Sequence, residues 1–434
     1  MPRWTYTLLL CLLLPLALLK LVWRAFRQPE YLHHVPERFG FYRDVPRPTQ
    51  PVIWLHAVSV GETRATAPLV ALLRERYPQH QILMTHTTPT GREAGEQLFG
   101  DNVQRCYLPY DLPGAMARFL DHFQPKAGLL METELWFNLI AACEQRGMPL
   151  MLVNARLSER SARGYARLGG LVTDGLRKLA RIAAQTEADA QRLRGLGARD
   201  VTVTGNLKFD VTPPLEAQEK GAALRRLFGQ KRPVFLAAST RDGEEPLVLD
   251  AVAAANVPGL LTVIVPRHPQ RFNEVASLLD KRGIAYMRRS SLVETSPTPQ
   301  PLSAEVEGTV GLGAQVMLGD SMGEMFAYYA ACDVAFIGGS LLPLGGQNLI
   351  EACAMGKPVL IGPHTWNFEA VAASALEAGA ALRVEDSSAL GAQLRELFAD
   401  NELREHMSRQ ALAFSGSHSG ASQRVMAVIA QVVN

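Results

Sequence analysis

The sequence predicts an α/β protein of two doubly wound parallel sheets, preceded by an apolar N-terminal helix. Three observations carry this. Short apolar runs alternate with helical patterns along the chain, in two successive series. The runs are continuously apolar, as in strands covered on both faces. A polar, proline-rich break, Asp210-Val211-Thr212-Pro213-Pro214, divides the two series.

The 434 residues leave room for two to three domains, and 47% hydrophobic against 20% charged residues supplies ample core. The net charge of +2 calls for no polyanion and no nucleic acid. Five cysteines are scattered without a C-x-x-C pair, which fits reduced, buried thiols. The histidines form no H-x-x-x-H or H-E-x-x-H, and there is no Asp-x-Asp. These residues carry no metal-site signal, and the usual signal for a metal-held nucleotide diphosphate is missing; no cofactor is expected.

The first element is the stretch 4–23, leucine-rich and interrupted only near its end by Lys20. Twenty helical residues span about 30 Å, the thickness of a bilayer's hydrocarbon core. Trp4, Tyr6 and Trp23 suit the two membrane interfaces, and Lys20 can snorkel outward. Arg24, Arg27, Arg38 and Arg43 follow it, against Arg3 in front, which keeps the body on the cytoplasmic side. Two alternatives stay open. A cleaved signal peptide would need an A-x-A site that does not follow. An interfacial helix would lie on the membrane without crossing it.

Strands of the first series are expected at 52–60, 81–86, 103–108, 127–131, 150–154, 182–184 and 201–204. Helices are expected between them at 64–77, 92–98, 115–123, 137–146, 159–168 and 188–196. A polar helix at 215–228 and Gly229-Gln230-Lys231-Arg232-Pro233 read as a linker. The second series has strands at 234–238, 261–265, 285–288, 315–318, 334–337, 359–361 and 381–384. Its helices are at 245–255, 272–282, 323–331, 350–355, 368–378 and 389–398, with closing helices at 402–414 and 421–433. The Ser/Pro/Glu-rich stretch 290–308 reads as a surface loop. The domains expected are an anchor helix over 1–27, a first domain over 28–212, a linker over 213–232 and a second domain over 233–434, its last helix able to pack back on the first. Two such domains facing a cleft suit two substrates.

Candidate site residues lie at strand ends, where open α/β sheets bind ligands. The first strand runs into Ser59-Val60-Gly61-Glu62-Thr63. A carboxylate there can take a proton from an incoming hydroxyl, and Ser59-x-x-Glu62 also has the form of a capping box. Met131-Glu132-Thr133-Glu134-Leu135-Trp136 follows another strand, and Lys208 sits in Gly205-Asn206-Leu207-Lys208-Phe209-Asp210. Glu132 and Lys208 read equally as structural ion-pair partners. In the second half, Pro266-Arg267-His268-Pro269 offers a guanidinium fork for a carboxylate or phosphate, or a surface ion pair. Gly319-Asp320-Ser321-Met322-Gly323-Glu324 opens a helix whose free N–H groups suit a phosphate, or is simply capped by Asp320 or Ser321. Gly338-Gly339-Ser340 and Gly345-Gly346-Gln347-Asn348-Leu349-Ile350-Glu351 place glycines at a strand end and helix start, where Glu351 can accept from two ribose hydroxyls.

Together with Arg38-Phe39-Gly40-Phe41-Tyr42, His56-Ala57-Val58 before Ser59, Thr88-Pro89-Thr90-Gly91, Leu108-Pro109-Tyr110-Asp111 and Asn154-Ala155-Arg156-Leu157-Ser158, these ordered stretches resemble the Kdo transferase family, which moves 3-deoxy-D-manno-octulosonic acid (Kdo) onto lipid A precursor. The resemblance implies a GT-B fold of two Rossmann-like domains, acceptor-binding and then donor-binding. It implies CMP-Kdo as donor, a lipid IVA-type acceptor, no metal, and work at the inner membrane in lipopolysaccharide synthesis. It places the catalytic base on Glu62 and transition-state stabilisation on Glu132 and Lys208. It places CMP contacts on Pro266, Arg267, Met322, Gly323, Glu324, Asn348, Leu349, Ile350 and Glu351. The chain departs from the family's common Gly-Gly-His-Asn-Pro-Leu-Glu by carrying Gln347, Leu349 and Ile350. The rival readings are another sugar-nucleotide enzyme on this fold, or a membrane-tethered nucleotide-binding protein without catalysis.

Overall fold

The structure is a computed structural model that describes residues 1–211, 213–292 and 313–433. The chain divides into two compact units, Met1–Asp210 with His418–Asn434, and Val211–Ser417.

Among the described residues the first unit has one parallel sheet of seven strands. They are β1 (Val52–His56), β2 (Gln81–His86), β3 (Gln104–Tyr107), β4 (Pro125–Met131), β5 (Leu150–Ala155), β6 (Arg181–Ala184) and β7 (Val201–Val203). Their order is β3-β2-β1-β4-β5-β6-β7. Every residue of β1 is buried because helices cover both faces. Val52 and Trp54 point into one apolar layer with Phe119, Leu120 and Phe123. Ile53 and Leu55 point into the other with Leu69, Leu73, Val425 and Ile429. The helix Ala421–Ile429 thus completes the second layer. Its first N–H groups, on Ala421 and Ser422, donate to the Asp210 carboxylate.

The second unit likewise has a seven-stranded parallel sheet among the described residues. It comprises β8 (Val234–Thr240), β9 (Leu261–Pro266), β10 (Tyr286–Arg288), β11 (Val316–Leu318), β12 (Val334–Ile337), β13 (Val359–Ile361) and β14 (Ala381–Arg383). The order is β10-β11-β9-β8-β12-β13-β14. Each strand has its counterpart among the sequence expectations. The order reverses between β1 and β4 and again between β8 and β12, so each sheet has one switch point at which strand ends open to ligands.

Several boundaries differ from expectation. The strand predicted over 52–60 stops at His56, because Ser59 leaves the ladder to cap the helix Val60–Ala65. The helix predicted over 64–77 breaks at Thr66, ahead of Ala67-Pro68, and resumes as Ala67–Arg76. The helix Gly170–Lys178 had no sequence expectation. The helix Leu215–Phe228, expected in a linker, belongs to the second unit, where Leu224 and Phe228 are buried and Arg225 binds Asp333 and the Ala331 carbonyl. The loop expected over 290–308 lies outside the described residues from 293 onward.

At the N-terminus, the helix Arg3–Ala25 is long and apolar enough to cross a membrane. Two expectations around it change. Tyr6 is turned onto the body of the first unit, where it donates to Asp111. Arg38, counted among the flanking cations, is buried, with its guanidinium over the Tyr107 ring and a bond to the Thr87 carbonyl.

Two histidines sit in the core at the ends of β1 and β2. Burial holds His56 down to about 3, helped by the charge of His86, and holds His86 down to about 4. Both ordinary values are 6.5. The unfolded chain therefore takes up these protons first, and the contribution is complete above about pH 6.5 and is lost as pH falls towards about 4. Urea midpoints should consequently fall more steeply across this window in the native protein than in a His86→Gln variant. Equal slopes would show that His86 is not held neutral.

Candidate active site

The first unit gathers its candidate residues at the switch point between β1 and β4. After β1, the backbone turns through Ala57 and Val58 into the helix Val60–Ala65. Glu62 stands in the first turn. Its Oε2 accepts from Val58 N at 2.8 Å, and its Oε1 accepts from Ser59 Oγ at 2.8 Å. Ser59 Oγ in turn accepts from Glu62 N at 3.3 Å. Capping and orientation are thus one arrangement, in which the bonds that satisfy the helix start also aim the carboxylate. Thr88 Oγ1 supports the same loop by donating to the Val58 carbonyl.

Glu62 is half-buried, and burial raises its pKa above the usual 4.5. The bonds from Val58 and Ser59 pull the other way. The nearby Glu132 charge raises it further and Lys208 lowers it. Glu132 follows β4 with a left-handed backbone, φ 56°, while its N–H still bonds to Val153 in β5. That turn leads the chain out of the sheet. Glu132 Oε1 lies 3.7 Å from Lys208 Nζ, each side chain being about a third exposed (31% and 29%).

Lys208 belongs to the short turn Leu207–Phe209. Asn206 Oδ1 accepts from Lys208 N at 3.0 Å, and the buried Asn154 Oδ1 accepts from Leu207 N at 2.9 Å. Asn154, at the end of β5, therefore positions the lysine, which explains the Asn154–Ser158 stretch singled out in the sequence. A further carboxylate, Glu134, lies in the loop after β4 with Glu132 and carries no assignment from the sequence. Glu134 Oε2 accepts from Trp136 Nε1 at 2.8 Å, and the Trp136 ring meets His56 edge-on at 6.1 Å. Burial raises the Glu134 pKa, and the charges of Glu62 and Glu132 raise it further. Its place beside Glu132 on a strand-end loop was the available signal.

In the second unit the candidate segments lie along one edge, at the carboxyl ends of β9, β11 and β12. Pro266 ends β9, and Arg267 N bonds to the Thr240 carbonyl at the end of β8. Asp320 accepts from Ser290 N and Oγ, and Glu324 pairs with Arg289 at 2.8 Å. Met322 is exposed and Gly323 adopts φ 80°. The helix expected from 323 begins at Met325, so Met322 and Gly323 stand in the turn before it. Asn348 Oδ1 accepts from Ile350 N, and Asn348 Nδ2 lies 3.4 Å from Glu351 Oε1. Leu349 and Ile350 are enclosed in the core, which leaves Asn348 and Glu351 as the partly exposed residues of this segment.

The residue that organises this edge escaped sequence reasoning. Glu244 is fully buried, and its carboxylate accepts from the backbone N–H groups of Arg241, Gly339 and Leu341. It joins the loop after β8 to the loop after β12 across the switch point. Burial raises its pKa against those three bonds. Gly338 allows the approach, since a Cβ there would stand 2.4 Å from the Ser239 carbonyl oxygen. After burial, the charges of Arg241, Arg267 and Arg271 lower the His268 pKa.

A family model described as 3-deoxy-D-manno-octulosonic-acid transferase (kdotransferase) matches residues 33–211, and one described as glycosyl transferases group 1 matches residues 302–414. The chain is 44% identical to a 3-deoxy-D-manno-octulosonic acid transferase of Bordetella pertussis, over 98% of each chain. It is 39% identical to the Haemophilus influenzae enzyme of the same name, over 98% of this chain and 97% of that one. In fold it is similar to a UDP-GlcNAc 2-epimerase of Neisseria meningitidis, with TM-score 0.54 and 16% identity over 88% and 100% of the two chains. It is similar to a glycosyltransferase of Rickettsia africae with TM-score 0.54 and 14% identity over 89% and 100%. These structures bear out the GT-B fold class. The resemblance carried by the ordered sequence stretches also holds: the chain belongs to the 3-deoxy-D-manno-octulosonic acid transferase family of glycosyltransferases.

Proposed function

We propose that this enzyme moves Kdo from CMP-Kdo to a hydroxyl of a lipid IVA-type precursor with inversion, Glu62 acting as general base. The observation that carries this is the Glu62 carboxylate. It stands at the end of β1, beside the switch point, aimed by Val58 N and Ser59 Oγ and raised in pKa by burial. Two of its roughly four acceptor positions are used, which leaves room to receive a proton. A raised pKa makes the ionised form a stronger base.

In the reaction, the acceptor hydroxyl gives its proton to Glu62. Its oxygen forms a bond to the anomeric carbon of Kdo, from the face opposite CMP. The bond from that carbon to the phosphate oxygen breaks, and its electron pair leaves with CMP. Lys208, held by Glu132, is a cation suited to the charge that develops. Arg267 on the second unit's edge suits the phosphate or the Kdo carboxylate as a planar donor. Pro266, Met322, Gly323 and Glu324 serve as further CMP contacts in this reading, with Asn348 to Glu351 at the ribose. The N-terminal helix fixes the enzyme to the inner membrane, with its body on the cytoplasmic side, where a lipid-borne acceptor is locally concentrated. Arg24, Arg27 and Arg43, all exposed, suit the anionic headgroups of the cytoplasmic leaflet.

A Glu62→Gln variant keeps an acceptor for Val58 N, and its amide N–H can donate to Ser59 Oγ in place of the bond that Ser59 Oγ donates to Glu62. It should fold and be protected by CMP against thermal unfolding as the native enzyme is, yet lose about 10²- to 10⁴-fold in kcat. Near-normal turnover from CMP-Kdo and tetra-acylated precursor, read by mass spectrometry, would remove Glu62 from the base role.

The ionised form of Glu62 is the active one, so kcat/KM should fall as pH drops through a pKa above the ordinary 4.5. Glu132→Gln removes a charge that opposes ionisation and should move this acid limb to lower pH. Lys208→Met removes a charge that favours ionisation and should move it to higher pH. Acid limbs that shift in the same direction in both variants would contradict the assignment.

A further inference from the structure

The N-terminal helix Arg3–Ala25 is roughly 34 Å long, enough to cross a bilayer. A helix that crosses sets its two ends on opposite sides of the hydrocarbon. Here both ends belong to the same body. At the first turns, Tyr6 Oη donates to Asp111 Oδ2 at 2.8 Å, and Thr7 Oγ1 donates to Asn138 Oδ1 at 2.9 Å. The Tyr6 ring meets Phe137 edge-on at 5.2 Å. The contact is no surface accident, because Asp111 is 4% exposed and also accepts from Asn138 N and Leu139 N. At the last turns, Leu21 and Ala25 are buried.

Tyr6, Thr7, Leu21 and Ala25 share one side of the helix at roughly 100° per residue. The opposite side carries Trp4, Leu8, Leu12, Leu16, Leu19 and Trp23, each exposed by 54% to 68%. Their spacing of three and four residues makes one continuous apolar stripe. Tryptophans stand at both of its ends, and the exposed Lys20, Arg24 and Arg27 lie beside it towards the last turn.

We propose that this helix lies lengthwise on one leaflet of a lipid bilayer and does not cross it. Its inner side is fastened to the body and its leucine stripe is immersed among acyl chains. Lipid is the fitting occupant of this stripe. Tryptophans favour the headgroup level, and the cations at its edge meet anionic headgroups. The helix then holds the first unit flat against the membrane. Its docking point is the start of the helix Phe137–Gln145, directly after the Glu132–Trp136 loop.

The topology can be read by labelling. In the full-length chain with the exposed Cys11 replaced by Ser, the remaining cysteines are buried. Pro2→Cys then reports on the helix start, and Lys126→Cys, at an exposed position, reports on the body. With a membrane-impermeant maleimide, both should label from the same face in inverted or right-side-out vesicles. Labelling of position 2 from the other face, or from neither face until detergent is added, would overturn the proposal. Tyr6→Phe offers a second reading. Loss of the Asp111 bond should lower Tm by about 2–4 °C in lipid nanodiscs. An unchanged Tm would mean that Tyr6 is not docked in the membrane-bound protein, and would also overturn it.

Discussion

Backbone N–H groups that leave a sheet need acceptors, and in this protein carboxylates supply them at the ends of the strands. Glu62 receives Val58 N after β1, and Glu244 receives three N–H groups from the loops after β8 and β12. Asp111 receives Asn138 N and Leu139 N after the β4 loop. Asp189 receives Leu157 N after β5, and Asp210 receives the start of the closing helix. Each such bond fixes a loop that has no ladder of its own. A loop so held presents its other groups in one geometry, which a transfer reaction requires.

The same device sets the electrostatics. A carboxylate brought indoors to hold backbone is raised in pKa by burial and lowered by the bonds it accepts. For Glu62, Glu244 and Asp111 burial is the larger effect. Glu244 and Asp111 are nearly or fully enclosed, with their bonds all internal to the fold. Glu62 is only half-buried and keeps acceptor capacity to spare. That difference in enclosure separates a structural carboxylate from one fit to exchange a proton. Glu132 and Lys208 refine it, since their opposite charges act on the same carboxylate from the neighbouring strand end and from the turn after β7.

The N-terminal helix enters this scheme through Asp111. The carboxylate that holds the start of the Phe137–Gln145 helix also receives Tyr6, so the N-terminal helix and the loop with Glu132 and Glu134 meet at one buried group. Trp136 continues the path, donating to Glu134 and resting its ring against His56. The N-terminal helix and the acidic loop are therefore neighbours in structure, although the helix reads in the sequence as a simple hydrophobic run.

The sequence by itself determined the two sheets, their strands and the glycine-rich edges, because these rest on local patterns. Buried parallel strands are apolar on both faces, helices carry a three-to-four periodicity, and tight approaches such as that at Gly338 admit no side chain. Glu62 was legible for the same reason, since its capping bonds span only three or four residues. Tertiary structure alone decided which distant groups meet. Glu132 finds Lys208, Asn154 finds Leu207, Glu244 finds Gly339, and Tyr6 finds Asp111. No periodicity encodes these pairings, because each depends on strand order and on which loops the switch points bring side by side.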